Sequence, residues 1–242
     1  MTVIQMYDGP NSTSMKLDLG SDNEQTVEAG VMHDVSRRRF LQFAGGIAGA
    51  GLIVSSCRKT PPDTQFIGRD DTALMNYLYI VEMVLTAFYT QANNTQYYGL
   101  TESELQLLAD LRDHQYAHRE LLKKILGGNA INKVVVDLSP VTFADRNNTL
   151  TNAIFLEDLA VAAYNGVAKH FADTSFVLLT AKMGTVQARH AAYARDILSA
   201  NTFADSTVVG LNGLDRAMSP QAVMAALAPF IQTKLDYTTL PA

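Results

Sequence analysis

The sequence predicts an all-α protein: a four-helix bundle with a long crossover between helices 2 and 3 and a short C-terminal helix. Three observations carry that prediction. Apolar residues recur at steps of three and four along four long stretches, the period of one helical face. The breaks between the first and second stretches, and between the third and fourth, are short. The second and third are separated by about twenty residues, a loop length that is uncommon unless the chain has a bundle to cross.

Each element has its own signals. From Asp71 to Asn93 the apolar positions are Leu74, Leu78, Val81, Leu85, Phe88 and Ala92, with Asp70 or Asp71 available to cap the start. From Thr101 to Leu126 the stripe is Leu105, Leu108, Leu111, Leu122 and Ile125. Thr101 and Glu104 have capping-box spacing, and Gly127-Gly128 stops this helix. The third and fourth helices run from about Thr149 to Phe171 and from about Ser175 to Ala200, broken at Asp173-Thr174-Ser175. Ser219-Pro220 opens the short last helix, a capping residue followed by proline in the first turn. The strand-like run is Val134 to Val136, inside the crossover. Two antiparallel pairs joined by one long crossover is the topology of ferritin-like bundles; the alternative is an up-down bundle, which would not need the crossover.

The chain ahead of these helices reads as an address. After 35 polar, weakly patterned residues come Ser36-Arg37-Arg38-Arg39-Phe40-Leu41-Gln42 and the Gly/Ala-rich run Phe43 to Val54. That run is too short to span a bilayer comfortably and has the layout of a cleavable export signal. Arg37 and Arg38, with Phe40 and Leu41 following, resemble the twin-arginine signal of bacterial export. Val54-Ser55-Ser56-Cys57 resembles a lipobox, and Cys57 is the chain's single cysteine. An incidental free thiol and a retained signal anchor are the alternatives. Translation from Met15 or Met32 would shorten the leader. The expected division is residues 1–56 as extension and signal, 57–69 as tether, and 70–242 as the folded domain. The expected partners are the twin-arginine export machinery and a membrane reached through lipidated Cys57. The expected location is the periplasm or cell envelope, and a homodimer is allowed.

Composition narrows the function classes. With 19 basic against 24 acidic residues in the whole chain, and 15 against 18 after residue 56, clustered phosphate contacts and hence nucleic acid are disfavoured, and no basic membrane-binding patch is expected. One cysteine forms no internal disulfide and supplies no thiolate zinc site. The sequence holds no Gly-rich phosphate loop, no Gly-x-Ser-x-Gly elbow, no haem-attachment pair and no nicotinamide-binding pattern.

Each long helix nevertheless carries polar residues within its apolar stripe. Glu82 lies in LYIVEMVLTAFY and Glu157 in AIFLEDLAVAAY. Gln115 and His118 share a face of the second helix, and Gln187 and His190 share one of the fourth. A buried carboxylate costs several kcal/mol unless it is paired or bound to metal, so these positions need a common explanation. They form an internal repeat: Gln115 follows Glu82 by 33 positions and Gln187 follows Glu157 by 30, each opening a Gln-x-x-His.

At these residues the chain resembles the exported ferritin-like proteins of bacteria, over about Asp70 to Ile231. The resemblance rests on LRDHQYAHRELLKKILGG, FLEDLAVAAYNGVAKHF, VQARHAAYARDIL and SPQAVMAALAPFI together with the four polar positions. In di-iron members each half supplies one Glu and one Glu-x-x-His. By position, Glu82 and Glu157 match the terminal carboxylates, and His118 and His190 match the histidines. The departure is that both Glu-x-x-His motifs read Gln-x-x-His here. A Gln offers one neutral carbonyl oxygen and an NH₂ that repels a cation. Two glutamates balance at most one divalent ion.

Three readings stay open. A single Fe, Mn or Zn could be held by Glu82, His118, Glu157 and His190, with Gln115 and Gln187 as weak or outer ligands. A metal-free network could have the Gln amides donating to both glutamates, and this is the reading the amides favour. A working di-iron oxidase comes third. The functional alternatives are therefore a non-catalytic envelope bundle and an oxidoreductase or iron-handling protein. Tyr79, Tyr89 and Tyr164 lie within two turns of the glutamates as candidate neighbours of the site. Asp113 and His114 are expected off the His118 face and exposed, and His170 is expected to serve only its helix end.

Overall fold

The computed structural model describes residues 63–132 and 134–242. Arg37, Arg38, Phe40, Leu41 and Cys57, the signal and lipidation positions, lie outside the described residues. The elements are β1 (Gln65–Phe66), α1 (Asp70–Asn94), α2 (Glu102–Leu126), α3 (Arg146–Val167), α4 (Thr174–Leu198), α5 (Pro220–Leu227) and β2 (Leu235–Asp236). α1 packs chiefly on α2 and α3 on α4, and α1 against α3 joins the two pairs. The result is the all-α four-helix bundle the periodicity predicts.

α1 is the core helix. Among the described residues it is the one helix long and apolar enough to cross a membrane, yet 83% of that stretch is buried by its neighbours. Its apolarity belongs to the bundle interior. Its start differs from expectation: Arg69 holds the N-cap position without a side-chain capping bond. Asp71 instead accepts from the backbone N–H groups of Ala172 and Asp173 at 2.8 Å each, tying the α3–α4 connection to the start of α1.

The caps of α2 and α5 follow the sequence signals. Thr101 and Glu104 exchange the two bonds of a capping box. Gly127 ends α2 at φ +54°, a region that favours glycine. Asp145 caps α3 by accepting from the Asn148 N–H at 2.6 Å, so α3 begins at Arg146, three residues before the expected Thr149. Arg146 then reaches Glu104 near the start of α2 at 2.7 Å, and the Ile197 carbonyl near the end of α4 at 3.1 Å. Those bonds put the starts of α2 and α3 and the end of α4 together, so residues 127–145 must cross the length of the bundle. The N-cap Ser219 and Pro220 open α5 as predicted.

The opposite end is stitched by short pieces that carry no periodicity. β1 pairs in parallel with β2, and Val136 bridges Ile231 in the antiparallel sense. Buried Asn76 of α1 donates to the Ile67 and Asn129 carbonyls and accepts from the Ile131 N–H, at 2.8–3.0 Å. One side chain thereby joins the tether, α1 and the start of the crossover.

Candidate functional site

The polar residues that interrupt the four stripes meet in the middle of the bundle. Glu82, Gln115, Glu157 and Gln187 are all fully buried. The two amides face each other: Gln115 Nε2 donates to Gln187 Oε1 and Gln187 Nε2 donates to Gln115 Oε1, both at 2.9 Å. Each amide has one further donor hydrogen. Gln115 gives it to Glu157 Oε1 at 2.9 Å and Gln187 gives it to Glu82 Oε1 at 2.8 Å. Glu82 settles which end of each amide is which: a flipped Gln187 would set its carbonyl oxygen against an oxygen that already accepts from Tyr164, and the reciprocal pair then fixes Gln115.

The histidines and tyrosines extend this near-twofold arrangement. His118 Nδ1 stands 3.5 Å from Glu82 Oε1 in its own half, and His190 Nδ1 stands 3.7 Å from Glu157 Oε2 in its own half. Tyr164 of α3 crosses to the other half and donates to Glu82 Oε1 at 2.5 Å. Tyr89 of α1 lies beside Glu157 in the mirrored place; the two groups interact, but the contact falls short of the hydrogen-bond geometry that Tyr164 has with Glu82. Both tyrosines sit seven residues, two helical turns, after the glutamate of their own helix. That second repeat was present in the sequence beside the Glu and Gln-x-x-His one. Tyr79 is buried but joins none of these bonds.

His114 is a correction. It is exposed, as expected, but it lies one turn from His118 rather than off its face. Its ring stacks on His190 at a centroid distance of 5.2 Å, with His114 Nδ1 3.0 Å from His190 Nε2. Burial, helped by the nearby His114, His118 and Arg189, pushes the His190 pKa down to about 3, so its ring is neutral. Both Gln115 amide hydrogens are already engaged. The consistent assignment is therefore His190 Nδ1–H donating to Gln187 Oε1 at 3.0 Å, and Nε2 accepting from His114.

Burial also pushes the Glu157 carboxyl up to about 8; Tyr89 and Gln115 oppose the shift and the Glu82 charge adds to it. Burial, followed by the nearby Glu82, raises the Tyr164 phenol well above its ordinary value. Neither group is placed to ionise readily near neutral pH.

The donor set does not fit a di-iron centre. Its middle, where two metals need bridging carboxylates, holds two amides bonded to each other, with their N–H groups turned onto Glu82 and Glu157. Among the described residues no three His, Cys, Asp or Glu side chains gather around one point. Three buried atoms at the expected ligand positions remain without a hydrogen bond: Glu82 Oε2, Glu157 Oε2 and His118 Nδ1. A separate cavity of about 220 Å³ lies between α3, α4 and the loop that follows α4, and includes none of the site residues.

Comparison with known proteins gives two results. The ferritin-like domain family matches the chain over residues 70–200. No curated protein matches it.

Proposed function

Because the chain belongs to the ferritin-like domain family, we propose that it is a non-catalytic, exported bundle of that family whose centre is a metal-free hydrogen-bonded network. The observation that carries this reading is the reciprocal Gln115–Gln187 pair. Two neutral amides stand where di-iron members place two bridging carboxylates, and their remaining N–H groups neutralise no charge but satisfy one oxygen of each glutamate. A network of this kind gives the bundle a specific polar register in an otherwise apolar core. Export by the twin-arginine route and anchoring through acylated Cys57 complete the proposal, on the strength of the motifs at Arg37-Arg38 and Val54 to Cys57.

The test is ferroxidase chemistry. Fe²⁺ added aerobically to the natively exported protein is expected to oxidise no faster than in buffer and to give no iron-dependent absorbance band. Saturable oxidation lost in an E82A/E157A variant would sink the reading.

A second reading has an observation of its own. Glu82 Oε2, Glu157 Oε2 and His118 Nδ1 are buried without a hydrogen bond, as the donors of a single-metal site would be. It requires one tightly held divalent Fe, Mn or Zn per chain, and metal analysis separates it from the network.

A further inference from the structure

We infer that the end of the bundle from which the tether leaves is a membrane-facing surface that meets anionic phospholipid headgroups. The inference rests on the Cys57 anchor proposed above and adds which face of the domain the anchor presents. The exit point is fixed by structure. β1 is paired to β2, Ile67 is fully buried, Asn76 holds the Ile67 carbonyl, and Thr239 donates to the Gly68 carbonyl at 2.8 Å. The chain is therefore secured up to Gln65, at the end where α1 and α4 begin and α2 and α3 finish. Asp63 lies six positions after Cys57, a reach of about 20 Å when extended. The 25 residues of α1 span about 37 Å, so a tether that short cannot bring the far end to the membrane as readily as the near one.

Charge is distributed along the same axis. All five described lysines lie toward the tether end: Lys123 and Lys124 in the last turn of α2, Lys169 just beyond α3, Lys234 beside β2, and Lys182 about 12 Å along α4. Lys123, Lys124, Lys169 and Lys234 are exposed and form no ion pair among the described residues. Of the acidic residues at this end, Asp71, Asp137, Asp173 and Asp236 are turned onto backbone or hydroxyl donors and Glu120 pairs with Arg119, leaving Asp63 and Asp70 exposed. The far end carries Glu102, Glu104, Asp145 and Asp196, and its Arg146 and Arg195 are held by Glu104 and Asp158. The overall negative charge thus hides a polarity that favours one orientation on an anionic surface.

The chain has no Trp, so single-Trp variants can report from each end. F66W sits in β1 at the tether end, and Y98W replaces a fully exposed residue in the loop after α1 at the far end. With the full, exported chain on phosphatidylglycerol vesicles, energy transfer to a dansyl-labelled headgroup lipid is expected to be at least threefold greater from F66W than from Y98W. A K123E/K124E/K169E/K234E background with unchanged helical content is expected to reduce that ratio by at least half. Equal transfer from the two ends by a protein that partitions into detergent overturns the orientation alone. A ratio unaffected by the charge reversals overturns the role of the lysines. A protein that stays in the aqueous phase overturns the anchor, and the orientation with it.

Discussion

Gln115 and Gln187 exchange two hydrogen bonds of 2.9 Å across the centre of the bundle, each donating once and accepting once. The pair is closed: both carbonyl oxygens and one hydrogen of each NH₂ are used within it, and the second hydrogens go to Glu157 and Glu82. A carboxylate in either position could not donate at all. The Gln identity is therefore what holds this core together, and it is the feature most open to mutation.

Restoring both carboxylates should undo the core. The Q115E/Q187E double variant places four carboxyl groups in a buried space and removes all four amide donations. In metal-free buffer at pH 7 it is expected to lose about 3 kcal/mol or more of stability. Added Fe²⁺ or Co²⁺ should raise its Tm by several degrees while leaving the parent protein unmoved. Thermal melts with and without metal read both effects, and a parent protein stabilised as strongly as the variant would contradict the account.

Stability should also fall as pH rises from 6.5 to 8. The Glu157 carboxyl titrates at about 8 when folded and near its ordinary 4.5 when unfolded, so in this window the folded chain holds a proton that the unfolded chain has released. That contribution declines with rising pH and levels off above 8. Below pH 6.5 His190 works in the opposite direction, because the unfolded imidazole takes a proton that the buried ring, at about 3, does not. Urea unfolding across pH 6.5–8 should show the fall in the parent protein and a flatter profile in E157Q. An equally steep E157Q profile would contradict the assignment.

The two tyrosines are related by the repeat but are not equivalent. Tyr164 makes a short hydrogen bond to Glu82, whereas Tyr89 meets Glu157 only in a looser contact. Y164F is expected to cost about 1–3 kcal/mol, the range for a lost hydrogen bond to a buried charged or polar group. Y89F should cost less than about 1 kcal/mol. Chemical denaturation of the pair measures the difference, and equal losses would remove the asymmetry.

Gly166 is a position where the backbone of another segment comes too close for a side chain. A Cβ there would lie 1.8 Å from the Met218 carbonyl oxygen. The segment before α5 is fastened to α3 by Met218 N–H to the Ala162 carbonyl at 3.0 Å and by Asn165 to the Arg216 carbonyl at 3.2 Å. G166A should break both bonds, destabilise the protein by about 1–3 kcal/mol and speed proteolysis within residues 199–219. A G166A chain digested at the parent rate would count against this packing.

How much of this was legible in the sequence depended on whether the signal was local. The helices were, because a 3.6-residue period needs only its own segment, and the capping box at Thr101 and the Ser219-Pro220 start are local too. β1 and β2 were not: two residues each carry no alternation, and their partner lies at the other end of the chain. Asp71 looked like a cap, yet its carboxylate is taken by backbone donors about 100 positions away. In the core, the Glu and Gln-x-x-His repeat pointed to the residues that converge. The seven-residue Glu-to-Tyr spacing separates Tyr89 and Tyr164 from Tyr79, although the expectation grouped all three. The bond of His114 to His190 joins two helices whose relative rotation no single stripe specifies.

The most direct test of the central claim is the metal content of the natively exported protein, purified without chelators and measured by elemental mass spectrometry. A metal-free amide network predicts well under one tenth of an equivalent of Fe, Mn or Zn per chain, unchanged in E82A/E157A. One or two tightly bound equivalents, lost in that double variant, would contradict it.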